Sequence, residues 1–75
     1  MQNWDLEELK LLKKFSEKLV MNFDEIKRFN GNEELSKILL NRLIEKGFVS
    51  KIEGMGQVFA ITNKGLEEVK NLSKH

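Results

Sequence analysis

The sequence predicts a mainly α-helical domain carrying one small β-hairpin, and three observations carry that expectation. Apolar residues recur at helical spacing in four separate runs. Between the third and fourth runs lie two short segments rich in valine, isoleucine and phenylalanine, parted by Gly54-Met55-Gly56; this is how a hairpin with a glycine-bearing loop reads. The chain has 75 residues, no proline, no repeat and no linker-like tract, so a single domain over 1–75 is expected.

The first helix is expected over about residues 4–21, with Leu6, Leu9, Leu12, Phe15 and Leu19 as its apolar stripe. Asp5 and Glu8 stand three apart as a capping box, with Trp4 and Leu9 as the hydrophobic staple. A second start follows at once: Asn22 caps, Glu25 closes the box, and Met21 staples onto Ile26. That helix is short, ending near Phe29, because Asn30-Gly31 reads as a turn. Asn32 opens a third helix to about Lys46, with Leu35, Leu39, Leu40, Leu43 and Ile44 as its stripe. Gly47 suits the left-handed residue that ends a helix, and Lys46 in the last turn suits the helix dipole. The hairpin strands follow as Phe48–Glu53 and Gln57–Thr62. Thr62 or Asn63 then caps a closing helix, about 63–74, through Leu66, Val69 and Leu72.

Composition narrows the function classes. A chain this short buries only about 60% of the surface its unfolded form exposes, and without cysteine it has neither disulfides nor thiolate metal sites to add. Self-association would supplement such a core, and Leu11 and Leu72, beyond the needs of their helices, point to a homodimer. Apolar residues at 40% and charged ones at 33% describe a folded, water-compatible chain. No apolar run approaches the roughly 18 residues of a membrane span, and the acidic, amphipathic start is unlike a signal peptide. A cytoplasmic protein with no membrane partner is the expectation. Catalysis finds no support: His75 is the only histidine, there is no phosphate-binding glycine loop, and the acidic pairs are adjacent, so they diverge on a helix. No metal-ligand constellation appears, and no cofactor is expected.

Charge is unevenly spread. Residues 26–52 carry six cations against three carboxylates, while the net charge of the whole chain is only +1. That block contains two helices meeting at a short Asn-Gly turn, a helix-turn-helix over about 22–46, and the hairpin after it at about 48–62 is a wing. Leu40, Leu43, the "EKGFV" of 45–49 and the "VFAITNKG" of 58–65 make the chain resemble winged helix-turn-helix domains of MarR-like and PadR-like repressors and small archaeal regulators. Phe59, Ile61, Thr62 and Gly65 stand at the matching places. The resemblance implies the order α-α-α-β-β-α, a third helix in the major groove, a wing on backbone or minor groove, and terminal helices that build a dimer. Its implied partner is double-stranded DNA, and its implied role is transcriptional regulation.

Candidate DNA-contacting residues follow from the exposed positions. Asn41 can hydrogen-bond an adenine edge, while Lys37 and Arg42 take a guanine or phosphates, with Ser36 beside them. Either Leu35 or Ser36 can occupy the inward position; with Leu35 inward, Arg42 tilts towards the core edge and Lys37 and Asn41 carry the contact. Lys27 and Arg28 on the second helix suit the DNA backbone, and Lys51 and Gln57 are the polar groups nearest the wing tip.

A second reading is a winged helix used for protein–protein contact. Glu33 and Glu34 open the third helix; against the dipole each stabilises by about 0.3 to 1 kcal/mol, yet they would repel phosphates there. The wing tip is Gly-Met-Gly, and Met55 is an apolar group placed for a protein surface. The readings separate on one point: whether Lys27, Arg28, Lys37, Arg42 and Lys51 share a continuous face or are interrupted by Glu33, Glu34 and Glu45.

Overall fold

A computed structural model describes residues 5–72 as four helices and a three-stranded antiparallel sheet. Helix α1 spans Leu6–Lys18. Asp5 caps it, its carboxylate accepting from the Glu7 backbone N–H at 2.9 Å. The reciprocal half of the expected capping box does not form, because Glu8 is buried and paired elsewhere; Trp4, its expected staple, lies outside the described residues. The buried line of α1 is Glu8, Leu11, Leu12 and Phe15, one step round from the expected stripe, and Leu6 and Leu19 are exposed. Leu11, expected to be surplus to the core and free for a dimer, is fully buried within it; Leu72 is half-buried.

The helix stops sooner than its periodicity predicts. Leu19 takes φ +70° and ψ −38°, a sparsely populated conformation that costs about 1 to 3 kcal/mol, and the chain then runs into strand β1, Val20–Asn22. This strand is absent from the predicted order. It pairs Val20 with Ala60 and Met21 with Phe59, which satisfies backbone groups that a continuous helix would have satisfied internally. Helix α2 spans Phe23–Asn30 and opens on the expected capping box. Glu25 N–H donates to Asn22 Oδ1 at 2.8 Å, and Asn22 N–H donates to Glu25 Oε1 at 3.0 Å. Met21 and Ile26 are both buried.

Gly31, at φ +75°, turns the chain into α3, Glu33–Glu45, where the Asn32 side chain accepts from Leu35 N–H. The buried line of α3 is Ser36, Leu39, Leu40 and Leu43; Leu35 is half-buried and Ile44 exposed. Ser36 therefore takes the inward place. Its small side chain lies between α2 and α3, donating to the Asn32 carbonyl at 2.7 Å and accepting from Asn30 Nδ2 at 3.0 Å.

Strand β2 is Val49–Lys51 and β3 is Val58–Ile61, giving the sheet order β1-β3-β2 with β3 central. The hairpin loop is longer than the predicted Gly-Met-Gly: pairing ends at Lys51 with Phe59, with one further bond from Ile52 N–H to the Val58 carbonyl. Helix α4, Asn63–Leu72, is capped by Thr62, whose hydroxyl accepts from Gly65 N–H at 3.0 Å and donates to the Gly47 carbonyl at 2.7 Å. A Cβ on Gly65 would stand 2.4 Å from the Phe48 carbonyl oxygen, so only glycine fits there. One core cluster runs from Leu11, Leu12 and Phe15 through Met21, Ile26 and the α3 leucines to Phe48, Val49 and Phe59. Each such burial stabilises by about 1.5 to 3 kcal/mol relative to exposure.

Candidate functional site

The inward line of α3 fixes what the helix shows to solvent. Opposite Ser36, Leu39, Leu40 and Leu43, helical spacing sets one stripe of Glu34, Ile38, Asn41 and Glu45, all four exposed. Ile38 is 49% exposed. Lys37 lies on one flank, its ammonium 3.6 Å from Glu33 one turn earlier. Ser36, expected among the contacting residues, is fully buried and cannot reach a partner.

Arg42 has ion-pair partners at the start of α1 that its sequence position did not announce. Its guanidinium lies 3.6 Å from the Asp5 carboxylate and 3.8 Å from that of Glu8, while Lys46 hydrogen-bonds the other oxygen of Glu8. Glu8 is 2% exposed, and a carboxylate that deep persists only with such partners. This ion cluster fastens the start of α1 to the end of α3. The sequence reading missed it because Glu8 also fits an N3 capping position and its partners lie far along the chain.

The two candidates of α2 also separate. Lys27 is half-buried, whereas Arg28 lines a hollow between α1 and α2 together with Lys14, Lys18, Glu25 and Phe29. Lys18 donates to Glu25 at 2.6 Å; that bond first, and the Asn22 backbone N–H second, hold the Glu25 carboxyl below its ordinary value of 4.5. On the other side of Phe29 a second hollow is lined by Lys10, Lys13, Lys14 and Glu17. Phe29, 42% exposed, belongs to both.

At the hairpin, Lys51 is exposed and Gln57 lines a shallow hollow with Asn22, Phe23, Asp24, Met55 and Val58. The Phe23 backbone N–H donates to the Gln57 carbonyl at 2.9 Å, which holds the start of α2 beside the loop. Met55 is 60% exposed. Of the eight sequence candidates, Lys37, Asn41, Lys51 and Gln57 are thus exposed on α3 and the hairpin, Lys27 is half-buried, and Ser36, Arg28 and Arg42 lie elsewhere. On α2, α3 and the hairpin, Lys27, Arg28, Lys37, Arg42 and Lys51 stand against Asp24, Glu25, Glu33, Glu34, Glu45 and Glu53, and both arginines are turned towards α1. That surface is short of positive charge.

Among the described residues no helix is long and apolar enough to cross a membrane, and no group of three or more His, Cys, Asp or Glu could hold a metal ion. Comparison of the chain with protein-family models, with curated proteins and with solved structures finds no match.

Proposed function

We propose that this chain is a winged helix-turn-helix domain whose third helix docks on another protein. The element order supports the domain reading: α2 and α3 meet across Gly31-Asn32, a hairpin follows, and β1 completes its sheet. The stripe Glu34–Ile38–Asn41–Glu45 carries the choice of partner. A helix that enters a DNA groove runs between two rows of phosphates and gains most of its affinity by neutralising them. Here the outermost positions are two carboxylates, an apolar side chain and an amide, and the nearest arginine is engaged by Asp5 and Glu8. An exposed isoleucine within a polar rim is the arrangement of a protein contact.

Double-stranded DNA is the second reading, and one observation favours it: Lys37 and Asn41 are both exposed, one turn apart on α3, with Lys51 exposed on the hairpin that follows. Anisotropy of a labelled random duplex, measured from low to moderate salt, separates the two. The protein reading expects no binding even at low salt. It also expects a partner recovered by affinity capture to be lost on Ile38→Asp and retained on Lys37→Ala. Duplex binding whose log K falls by about 0.9 per phosphate neutralised, and which weakens on Asn41→Ala by about 1 to 3 kcal/mol, would overturn it.

A further inference from the structure

Two surfaces of this chain carry opposite unpaired charge, each around an exposed apolar side chain. In the hollows between α1 and α2, Lys14 and Lys18 are paired with Glu17 and Glu25, whereas Lys10, Lys13 and Arg28 have no ion pair among the described residues. Phe29 stands between these hollows. On α3, Glu34 and Glu45 likewise have no ion pair, and Ile38 lies between them. The surfaces share no residue, so one molecule can offer both at once.

We infer that the chain associates head to tail with a second copy of itself, the α3 stripe of one molecule seated in the cationic α1–α2 hollows of the next. This rests on the protein-contact reading and names its partner. Charge complementarity selects the occupant: an excess of cations around a phenylalanine, with Arg28 only attracted by Glu25, meets two carboxylates without ion pairs around an isoleucine. Single-stranded nucleic acid is the competing occupant, since cations flanking an aromatic ring also suit stacked bases. It would leave the acidic stripe without a role. Contact between two different patches is heterologous, so it closes into a ring or extends, in contrast to a two-fold pair. The charges are exposed, so salt weakens the contact over a Debye length of about 8 Å at physiological ionic strength.

Sedimentation velocity on the full chain tests this. The expected result is a mass that grows with concentration at low salt and falls to that of the monomer at high salt. A hollow variant, Arg28→Ala with Phe29→Ala, keeps its stripe; a stripe variant, Ile38→Ser with Glu45→Gln, keeps its hollows. All four positions are exposed, and circular dichroism checks that each variant folds. Each alone should be monomeric with association at least tenfold weaker, and an equimolar mixture should give a one-to-one pair that grows no further. Self-association that survives in either variant would overturn the proposal in favour of a like-to-like contact. A wild type that is monomeric at low salt would also overturn it; with no duplex binding the protein reading then stands with a different partner, and with salt-dependent duplex binding both fail. Binding of a labelled oligothymidine strand by the monomer, lost on Phe29→Ala, would give the hollows to nucleic acid instead.

Discussion

The two ends of β3 are held in unequal ways. At its C-terminal end, Thr62 N–H donates to the Phe48 carbonyl at 2.9 Å, the Thr62 hydroxyl reaches Gly47, and Gly65 packs against the same Phe48 carbonyl. At its N-terminal end, one bond from Phe23 N–H to Gln57 ties the strand to α2, and beyond it the loop stands open: a Cβ on Gly54 or Gly56 would meet nothing within 4 Å. One short strand thus passes from a site where packing excludes a single methyl to a loop whose glycines, at φ +81° and +68°, have open space around them. The C-terminal end is closely packed, and the loop beyond the other end stands exposed.

The largest test of this contrast is Gly65→Ala. The added methyl meets a backbone oxygen, which cannot swing aside as a side-chain end would, so we expect a loss of about 1 to 3 kcal/mol or more in urea denaturation. A neutral result would mean that Phe48 and α4 part easily and that the fastened end is looser than described. Thr62→Val comes next, because it removes a helix cap and a hydrogen bond to Gly47 while keeping the shape; a cost of about 1 to 2 kcal/mol is expected.

Glu25 sharpens the comparison at the weakly held end, where its capping box with Asn22 stands beside Gln57. Its folded-state carboxyl titrates below the ordinary 4.5, chiefly through Lys18 and then through Asn22 N–H. A lowered folded value means that its contribution is complete above the unfolded value and disappears as pH falls through the folded one. Melting curves across that acid range should therefore show wild type and Glu25→Gln converging as pH falls and differing by a small, constant amount at neutral pH. A gap that widened on acidification would contradict the assignment. The smallest effect is expected for Met55→Ser in the open loop: stability within about 0.5 kcal/mol of wild type by thermal melt. A larger loss would show that Met55 is held against Phe23 and Val58 and is not free.

What the sequence made legible was local. Asn22 with Glu25, Asn32, Gly31 and Gly47 each act within a few residues of themselves, and their types alone pointed to the starts and stops of α2 and α3. The misses were all non-local. Val20–Asn22 is a strand only because Val58–Ala60 lies alongside; a three-residue segment has no periodicity of its own. Glu8 had a plausible place in a local cap and Arg42 a plausible place on an outer face, but the two lie together across the α1–α3 contact. Ser36 turns inward because α2 and α3 approach closely there and its hydroxyl finds the Asn32 carbonyl, a fit no hydrophobic pattern announces. The candidate site suffered most, because it depended on which of two adjacent residues, Leu35 or Ser36, pointed inward.

The pairing of β1 with β3 also governs the order in which the chain becomes a protein. Val20 leaves a ribosome well before its partner Ala60, and Phe59 beside it completes the core. Helices α1 to α3 can form as they are synthesised, since the hydrogen bonds within each helix are short-range, but long-range strand pairing is slow to close. Until Phe59 arrives, Met21, Phe15 and the α3 leucines lack a covering strand. Nascent chains halted before β3 should therefore be open to protease, and those extended past α4 should not.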